Sequence, residues 1–386
     1  MILLLQTTTF SAHGGIPTYN RVVCRALRDI APDLEKQLLI LADTPADIES
    51  PDKDLVKFRM KAFSGNRLAL TADLFRIALT KPVELLLIGH VNYAPLGLVL
   101  KLVIPRLRYG VMVHGIEAWS RLPGLKRYAL QRADFITSVS KYTKDRVTGL
   151  NEVPQDRVYL LPNALESSED VTPETDAVLP SGLKLLSVCR LDRAERYKGI
   201  DTVIEVLPAV IKQIPSLKYY VVGEGTDLER HKRLVREKGL AERVHFLGSV
   251  GASALQAYYR ECDVFVMPSS GEGFGIVYLE AMQHEKPVVA ARSGAAPEVV
   301  LDGITGRLVE YGDTAQLEKT LVDLCLDKNQ RKRLGSAGYR RLQDNFTFGH
   351  FKENLTEILS RELGALTFGF SADGEAVALP RRSNVN

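Results

Sequence analysis

Short, mostly apolar runs alternate along the chain with longer segments that are apolar on one face only. In the first half the short runs fall at residues 2–6, 37–42, 55–59, 84–89, 109–114, 134–139 and 157–161. Segments with a helical period lie between them, at 16–30, 67–79, 122–132 and 141–148. The pattern then restarts. Apolar runs at 184–190, 218–223, 243–247, 263–267, 287–290 and 307–309 alternate with helical segments at 199–213, 227–238, 253–262, 275–284 and 314–326. Strands that are apolar throughout are buried on both faces, which calls for a parallel sheet covered by helices on each side. The predicted fold is α/β: two Rossmann-like domains with parallel sheets, facing each other across an interdomain cleft. The two halves share an architecture but no sequence repeat.

A polar, proline-bearing, aperiodic stretch at 167–182 reads as the linker. The expected division is 1–166 for the first domain and 167–348 for the second. A helix near 349–364 is expected to return to the first domain, and 365–386 to form a mobile or loosely docked tail. The length of 386 residues suits two such cores.

Charge and composition narrow the function more than the fold. A formal net charge of +3 gives no support for a nucleic-acid partner. Residues 1–170 hold 22 Lys and Arg against 18 Asp and Glu, a mild basic excess that suits a phosphate-bearing acceptor or an anionic lipid, or simply a solvated surface. The four cysteines, Cys24, Cys189, Cys262 and Cys325, form no CxxC pair and read as buried, reduced thiols. Residues 1–5 are apolar without a basic leader, too few for a signal peptide, and the apolar run at 94–104 is too short to span a bilayer. A soluble, cytoplasmic protein is expected, with the inner face of the membrane as a second location. Residues 122–127, Leu-Pro-Gly-Leu-Lys-Arg, mix apolar and basic side chains. They fit either a peripheral membrane contact through the first domain or, more simply, an amphipathic helix on its own sheet.

The densest chemical signal follows the strand at 263–267. It reads Pro-Ser-Ser-Gly-Glu-Gly-Phe-Gly from 268 to 275 and runs into a helix carrying Glu280. Glycines at 271, 273 and 275 admit unusual backbone angles and close approach of a ligand. The N–H groups at Phe274, Gly275 and Ile276 open a helix N-terminus suited to a diphosphate. Glu272 and Glu280 offer carboxylates that accept hydroxyl hydrogens at charge-assisted strength. Arg190 and Lys198 lie in the turn after the first strand of the second half, where cations stabilise a departing diphosphate.

This block, Glu272-Gly-Phe-Gly-x4-Glu280, resembles the Glu-x7-Glu signature of retaining glycosyltransferases of the GT-B fold, family 4. Gly14-Gly15-Ile16, His114-Gly115, Pro162-Asn163, Arg190-Leu191, Lys198-Gly199, residues 294–299 and Asp302-Gly303-x-Thr305-Gly306 agree in order and position, so the likeness covers roughly residues 1–350. The resemblance implies a donor site in the second domain. In it Glu280 would hold ribose hydroxyls, Glu272 and the N–H groups at Phe274, Gly275 and Ile276 the transferred sugar, and Arg190 and Lys198 the diphosphate, with Gly273, Gly14 and Gly15 also among the donor-binding residues. Ser249 and Val250 would lie against the base and Gly14-Gly15 would border the cleft. Arg193 and Arg196 lie within the unusually long Arg190–Lys198 spacing and could share the phosphate role. His13, before the glycine pair, reads as incidental. His114 would face the transferred sugar, its carbonyl near the reacting centre. Many relatives place an aspartate directly after that histidine. Here Gly115 stands there, and Glu117, two further on, is a candidate to orient the acceptor hydroxyl or take its proton.

Retention of configuration is implied by the family alone, and a same-face route with the departing phosphate as proton acceptor suits a cationic cradle better than double displacement. No cofactor or metal is expected, because no Asp-x-Asp stands at a strand end and the cations with the helix dipole replace it. The implied reaction moves a hexose from a nucleotide diphosphate sugar to a saccharide or lipid-linked saccharide. UDP-glucose is the first expectation for the donor and GDP-mannose the second. A sugar-nucleotide epimerase on the same scaffold and an inactive donor-binding subunit are the rival readings.

Overall fold

The computed structural model describes residues 1–11, 14–49, 58–165 and 179–364. His13, most of the expected linker, the start of the strand expected at 55–59 and the tail at 365–386 lie outside the described residues.

The strands are β1 (Ile2–Gln6), β2 (Lys36–Ile40), β3 (Phe58–Ala62), β4 (Leu85–Ile88), β5 (Arg108–Val113), β6 (Phe135–Ser138) and β7 (Val158–Leu160) in the first sheet. The second sheet holds β8 (Lys184–Val188), β9 (Lys218–Val222), β10 (Val244–Gly248), β11 (Val264–Met267), β12 (Val288–Ala291) and β13 (Gly306–Val309). The first sheet runs β3-β2-β1-β4-β5-β6-β7 and the second β10-β9-β8-β11-β12-β13. Every pairing is parallel. Burial explains why: β1, β4, β6, β11 and β12 are buried at every position, so each must be covered from both sides.

In each sheet the strand order reverses once, at β1/β4 and at β8/β11. Ligands of open α/β sheets bind in the crevice beyond the strand ends at such reversals. Gly14-Gly15 follows β1, Arg190 follows β8, and the 268–275 loop follows β11, so the elements expected to carry the chemistry all leave from a reversal point.

Local differences from the expected elements have simple causes. β3 is an edge strand, with Phe58 buried and the exposed Arg59 and Lys61 on its outer face, so its polar alternation hid the part beyond Arg59. The apolar run at 94–104 is a helix, Ala94–Val103, that buries Leu98 and Leu100 and leaves Val99, Leu102 and Val103 exposed. Two long helices close the described chain. Lys328–Asn345 is highly charged and buries only Leu334, Gly335, Gly338 and Leu342. Phe348–Leu363 crosses back to the first domain and packs Phe351, Leu355, Ile358 and Leu359 against the helix Gly15–Ile30. There Glu362 accepts hydrogen bonds from the Tyr159 hydroxyl (2.6 Å) and Arg108 (3.2 Å). Among the described residues no helix is long and apolar enough to cross a membrane. All four thiols are unpaired.

Candidate active site

The glycine pattern after β11 makes the site. Gly275 has φ +91°, and a Cβ there would lie 2.4 Å from the Tyr278 ring, so only glycine permits this entry into the helix Ile276–Gln283. The N-terminus of that helix faces the first domain: a Cβ on Gly15 would lie 3.8 Å from the Ile276 side chain. The helix Gly15–Ile30 starts at the same point, so the positive ends of two helices converge on the cleft.

Lys198 and Glu272 meet here at 2.7 Å, and both side chains are largely buried. Burial alone would lower the Lys198 pKa, but the neighbouring Glu272 carboxylate outweighs it and the net shift is upward. The lysine therefore stays cationic without water. Arg190 is exposed and pairs with Glu195 in the same loop. Arg196 is committed elsewhere: its guanidinium makes a two-toothed bond, 2.9 Å on each side, to the buried Asp227. Arg196 therefore anchors the loop, while the side chains of Arg190, Arg193 and Lys198 are not committed to Asp227. Arg193 is exposed, and its N–H is held by the Thr226 hydroxyl.

Glu280 accepts a hydrogen bond from the Tyr259 hydroxyl at 2.7 Å. Burial raises its pKa, while that bond and the charge of Arg21, reaching from the first domain, offset part of the rise. The turn after β10 places Ser249 at the surface, its N–H bound by Glu224 at 3.1 Å, and Val250 packs partly against the core.

His114, at the end of β5, is fixed by a 2.8 Å contact between Nε2 and the Gly89 carbonyl and by an edge-on contact with Tyr19. Its own carbonyl points at the donor loop: a Cβ on Gly273 would lie 1.9 Å from it. Glu117 does not reach outward as a free base. One of its oxygens accepts from the N–H groups of His114 (2.5 Å) and Gly115 (3.1 Å), so it ties down the turn that carries His114.

Three participants were not singled out from sequence. His90 follows β4 beside this turn, and burial lowers its pKa, with Glu117 raising and His114 lowering it. Arg21 faces Glu280 from the helix Gly15–Ile30. Asp227 locks the loop between Arg190 and Lys198 through Arg196, and also pairs with Arg230. A lone histidine after an apolar run and an arginine on an amphipathic helix carry no distinguishing local pattern. The Gly-Glu-Gly-Thr-Asp turn after β9 was the one available signal for Asp227.

Two parallel α/β domains whose reversal points oppose a pair of cations, two glutamates and two helix N-termini define a GT-B enzyme acting on a nucleotide sugar. The profile of the family described as "Glycosyl transferases group 1" matches residues 173–341. A GDP-mannose-dependent alpha-(1-6)-phosphatidylinositol monomannoside mannosyltransferase of Mycolicibacterium smegmatis is 36% identical over 265 residues, covering 64% of this chain and 68% of its own. A GDP-mannose-dependent monoacylated alpha-(1-6)-phosphatidylinositol monomannoside mannosyltransferase of Corynebacterium glutamicum is 31% identical over 268 residues, covering 64% and 69%. Among solved structures, sucrose-phosphate synthase of Thermosynechococcus elongatus superposes with a TM-score of 0.78 at 20% identity, over 94% of this chain and 99% of its own. HepE of Anabaena, in complex with UDP and glucose, gives 0.76 at 18% identity, over 94% and 100%. At such identities these two speak for the fold alone. The chain belongs to the group 1 glycosyltransferases, of the GT-B, family 4 type, and transfers a sugar from a nucleotide sugar.

Proposed function

We propose that the chain transfers mannose from GDP-mannose to a hydroxyl of a saccharide or lipid-linked saccharide, with retention of configuration and without a metal ion. The observation that carries the reaction is the buried pair of Lys198 with Glu272 of the loop leading into the helix Ile276–Gln283, whose N-terminus meets that of the helix Gly15–Ile30. The donor assignment rests on relatives named for GDP-mannose, which favour it over UDP-glucose, the first expectation from sequence. The same names favour a lipid-linked acceptor.

In this reading Lys198, Arg190 and the two helix ends hold the diphosphate and stabilise the charge left on it as the sugar departs. Glu272 accepts hydroxyl hydrogens of the sugar and Glu280 those of the ribose. The three carboxylates at the site already have partners, in Lys198, Tyr259 and the 114–115 backbone. That favours the same-face route, in which the departing phosphate takes the acceptor proton while the His114 carbonyl lies beside the reacting carbon. Peripheral contact with a membrane is supported by one lateral face of the first domain. There the neighbouring helices Ala94–Val103 and Gly124–Gln131 bring the exposed Leu102 and Tyr128 together with Lys101 and Arg132.

Thermal shift tests the donor. GDP at about 100 times its dissociation constant should stabilise the fold by about 2.7 kcal/mol and raise the melting temperature by several degrees. A larger rise with UDP at equal concentration would remove the GDP-mannose assignment. Transfer should persist in EDTA, and its complete loss there would show that a metal is required.

Glu280→Gln should separate binding from stability. A carboxyl whose pKa is higher in the folded chain than in the unfolded one stabilises the fold where it is protonated, and that contribution is lost as pH rises through the folded value. Ionised Glu280 therefore costs stability at neutral pH. The variant should melt higher than the parent near pH 7, with the gain shrinking as pH falls toward the carboxyl range. Donor affinity should drop about 10- to 100-fold, the worth of a charge-assisted hydrogen bond of about 1.5–3 kcal/mol. Unchanged affinity in calorimetry would take Glu280 out of the site.

A further inference from the structure

We propose that Glu298 is a positioning residue for transfer: its carboxylate clasps the first domain by the backbone and sets the distance between His114 and Glu272. Glu298 stands in the one-turn helix Ala296–Val299 after β12, in the second domain. Its two oxygens accept hydrogen bonds from the N–H groups of Lys141 and Tyr142, each at 2.7 Å. Those are the first two N–H groups of the helix Lys141–Asn151. Such groups have no partner within the helix, and Ser140 caps only Thr143. A carboxylate at this end also meets the positive pole of the helix dipole.

Both anchor points of the clasp lead straight to the reacting groups. On the second-domain side, Arg341 grips the carbonyls of Glu298 (2.6 Å) and Val299 (2.9 Å), and the Ala295 N–H donates to the Glu272 carbonyl at 2.9 Å. On the first-domain side, Tyr142 meets the Trp119 ring edge-on at 5.0 Å, and Thr143 accepts from the Trp119 indole N–H at 3.0 Å. Trp119 ends the turn that begins at His114 and Gly115. A continuous run of contacts thus joins the Glu272 loop, through Glu298, to the His114 turn.

The clasp is also reversible by construction. Lys141 is exposed, so water can replace both hydrogen bonds when the cleft opens. The Lys141 ammonium is held chiefly by Asp145 at 2.6 Å, and the charge of Glu298 adds only a smaller attraction.

Two variants attack the clasp from opposite domains. Glu298→Ala removes the acceptor. Lys141→Pro removes one donor at the first helical position, where proline is well tolerated, while Ser140 already has the extended backbone that must precede proline. Lys141→Ala keeps the N–H and is the control. Trp119, the single tryptophan of the chain, reports on the junction by its emission. Both clasp variants should shift that emission to the red and increase the radius of gyration of the donor-free chain in X-ray scattering, whereas Lys141→Ala should show neither change. Both should lower kcat/KM about 10- to 100-fold, as misplacement of reacting groups does, and the double variant should be no worse than Glu298→Ala alone. A folded Glu298→Ala or Lys141→Pro chain with the parent's emission and radius overturns the clasp. Opening without loss of kcat/KM overturns the positioning role. Emission and scattering need no donor, so they stand apart from the donor assignment on which the kinetic arm rests.

Discussion

Glu272→Ala should lower turnover by about 10²- to 10³-fold, the scale of losing a preorganised polar contact to the reacting group. Glu272 is buried, more so than Glu280 or Glu117, and its partner Lys198 is largely buried with it. The substitution therefore does two things. It takes away the acceptor for the sugar hydroxyls, and it leaves a buried ammonium unpaired at a cost of about 3 kcal/mol in stability. A paired variant, Glu272→Leu with Lys198→Met, separates them. Replacing a buried ion pair by apolar groups of similar size restores most of the stability. Turnover should stay at the level of Glu272→Ala, because the cradle for sugar and diphosphate is gone. Single-turnover kinetics beside thermal melts would show both effects. Near-normal turnover in Glu272→Ala would remove this residue from the reaction.

The second large effect is expected from a single methyl group. Gly273→Ala puts a Cβ 1.9 Å from the His114 carbonyl oxygen and 3.0 Å from the Gly115 Cα. Both are backbone atoms, so no side chain can swing aside, and the two domains must separate by about an ångström. A misplacement of that size is enough to cost about 10²-fold in rate. The cations and the helix Ile276–Gln283 belong to the second domain and move together, so donor affinity should change much less than kcat. Measured donor binding with a collapsed kcat would fit this contact as part of the working state. A Gly273→Ala enzyme with the parent's kcat would mean that the closed contact between His114 and Gly273 does not occur during transfer.

Much of the architecture was legible in the chain. Runs such as 2–5 and 264–267 are apolar at every position, and both lie in strands buried on both faces. Helix termini were legible for the same local reason: Asp313 and Thr347 each cap a helix through a side chain three residues from the N–H it serves. Where one face of an element is short or charged, the signal faded. The helix Lys328–Asn345 touches the core through two leucines and two glycines, and a Cβ on Gly335 would collide with the Glu285 carbonyl. A glycine required for close packing reads, in sequence, like one that breaks a helix.

The candidate site divides along the same line. Arg190, Lys198 and Glu272 stood out because each lies in the turn after a strand, and Glu280 because of its fixed spacing from Glu272 into the helix that follows. Glycine at 275 was likewise set locally, by the need for a positive φ at the mouth of a helix. What these groups do to one another was decided only by the fold. Lys198 finds Glu272 at a separation of 74 residues, and Glu298 finds the Lys141 and Tyr142 backbone across 157 and 156. Arg196 is withdrawn to Asp227, and Glu117 to the His114 backbone. Periodicity, turns and caps depend on neighbours within one turn of chain, and the sequence states them directly. Pairings between charges depend on the order of strands in two sheets and on how those sheets face each other, which no local pattern encodes.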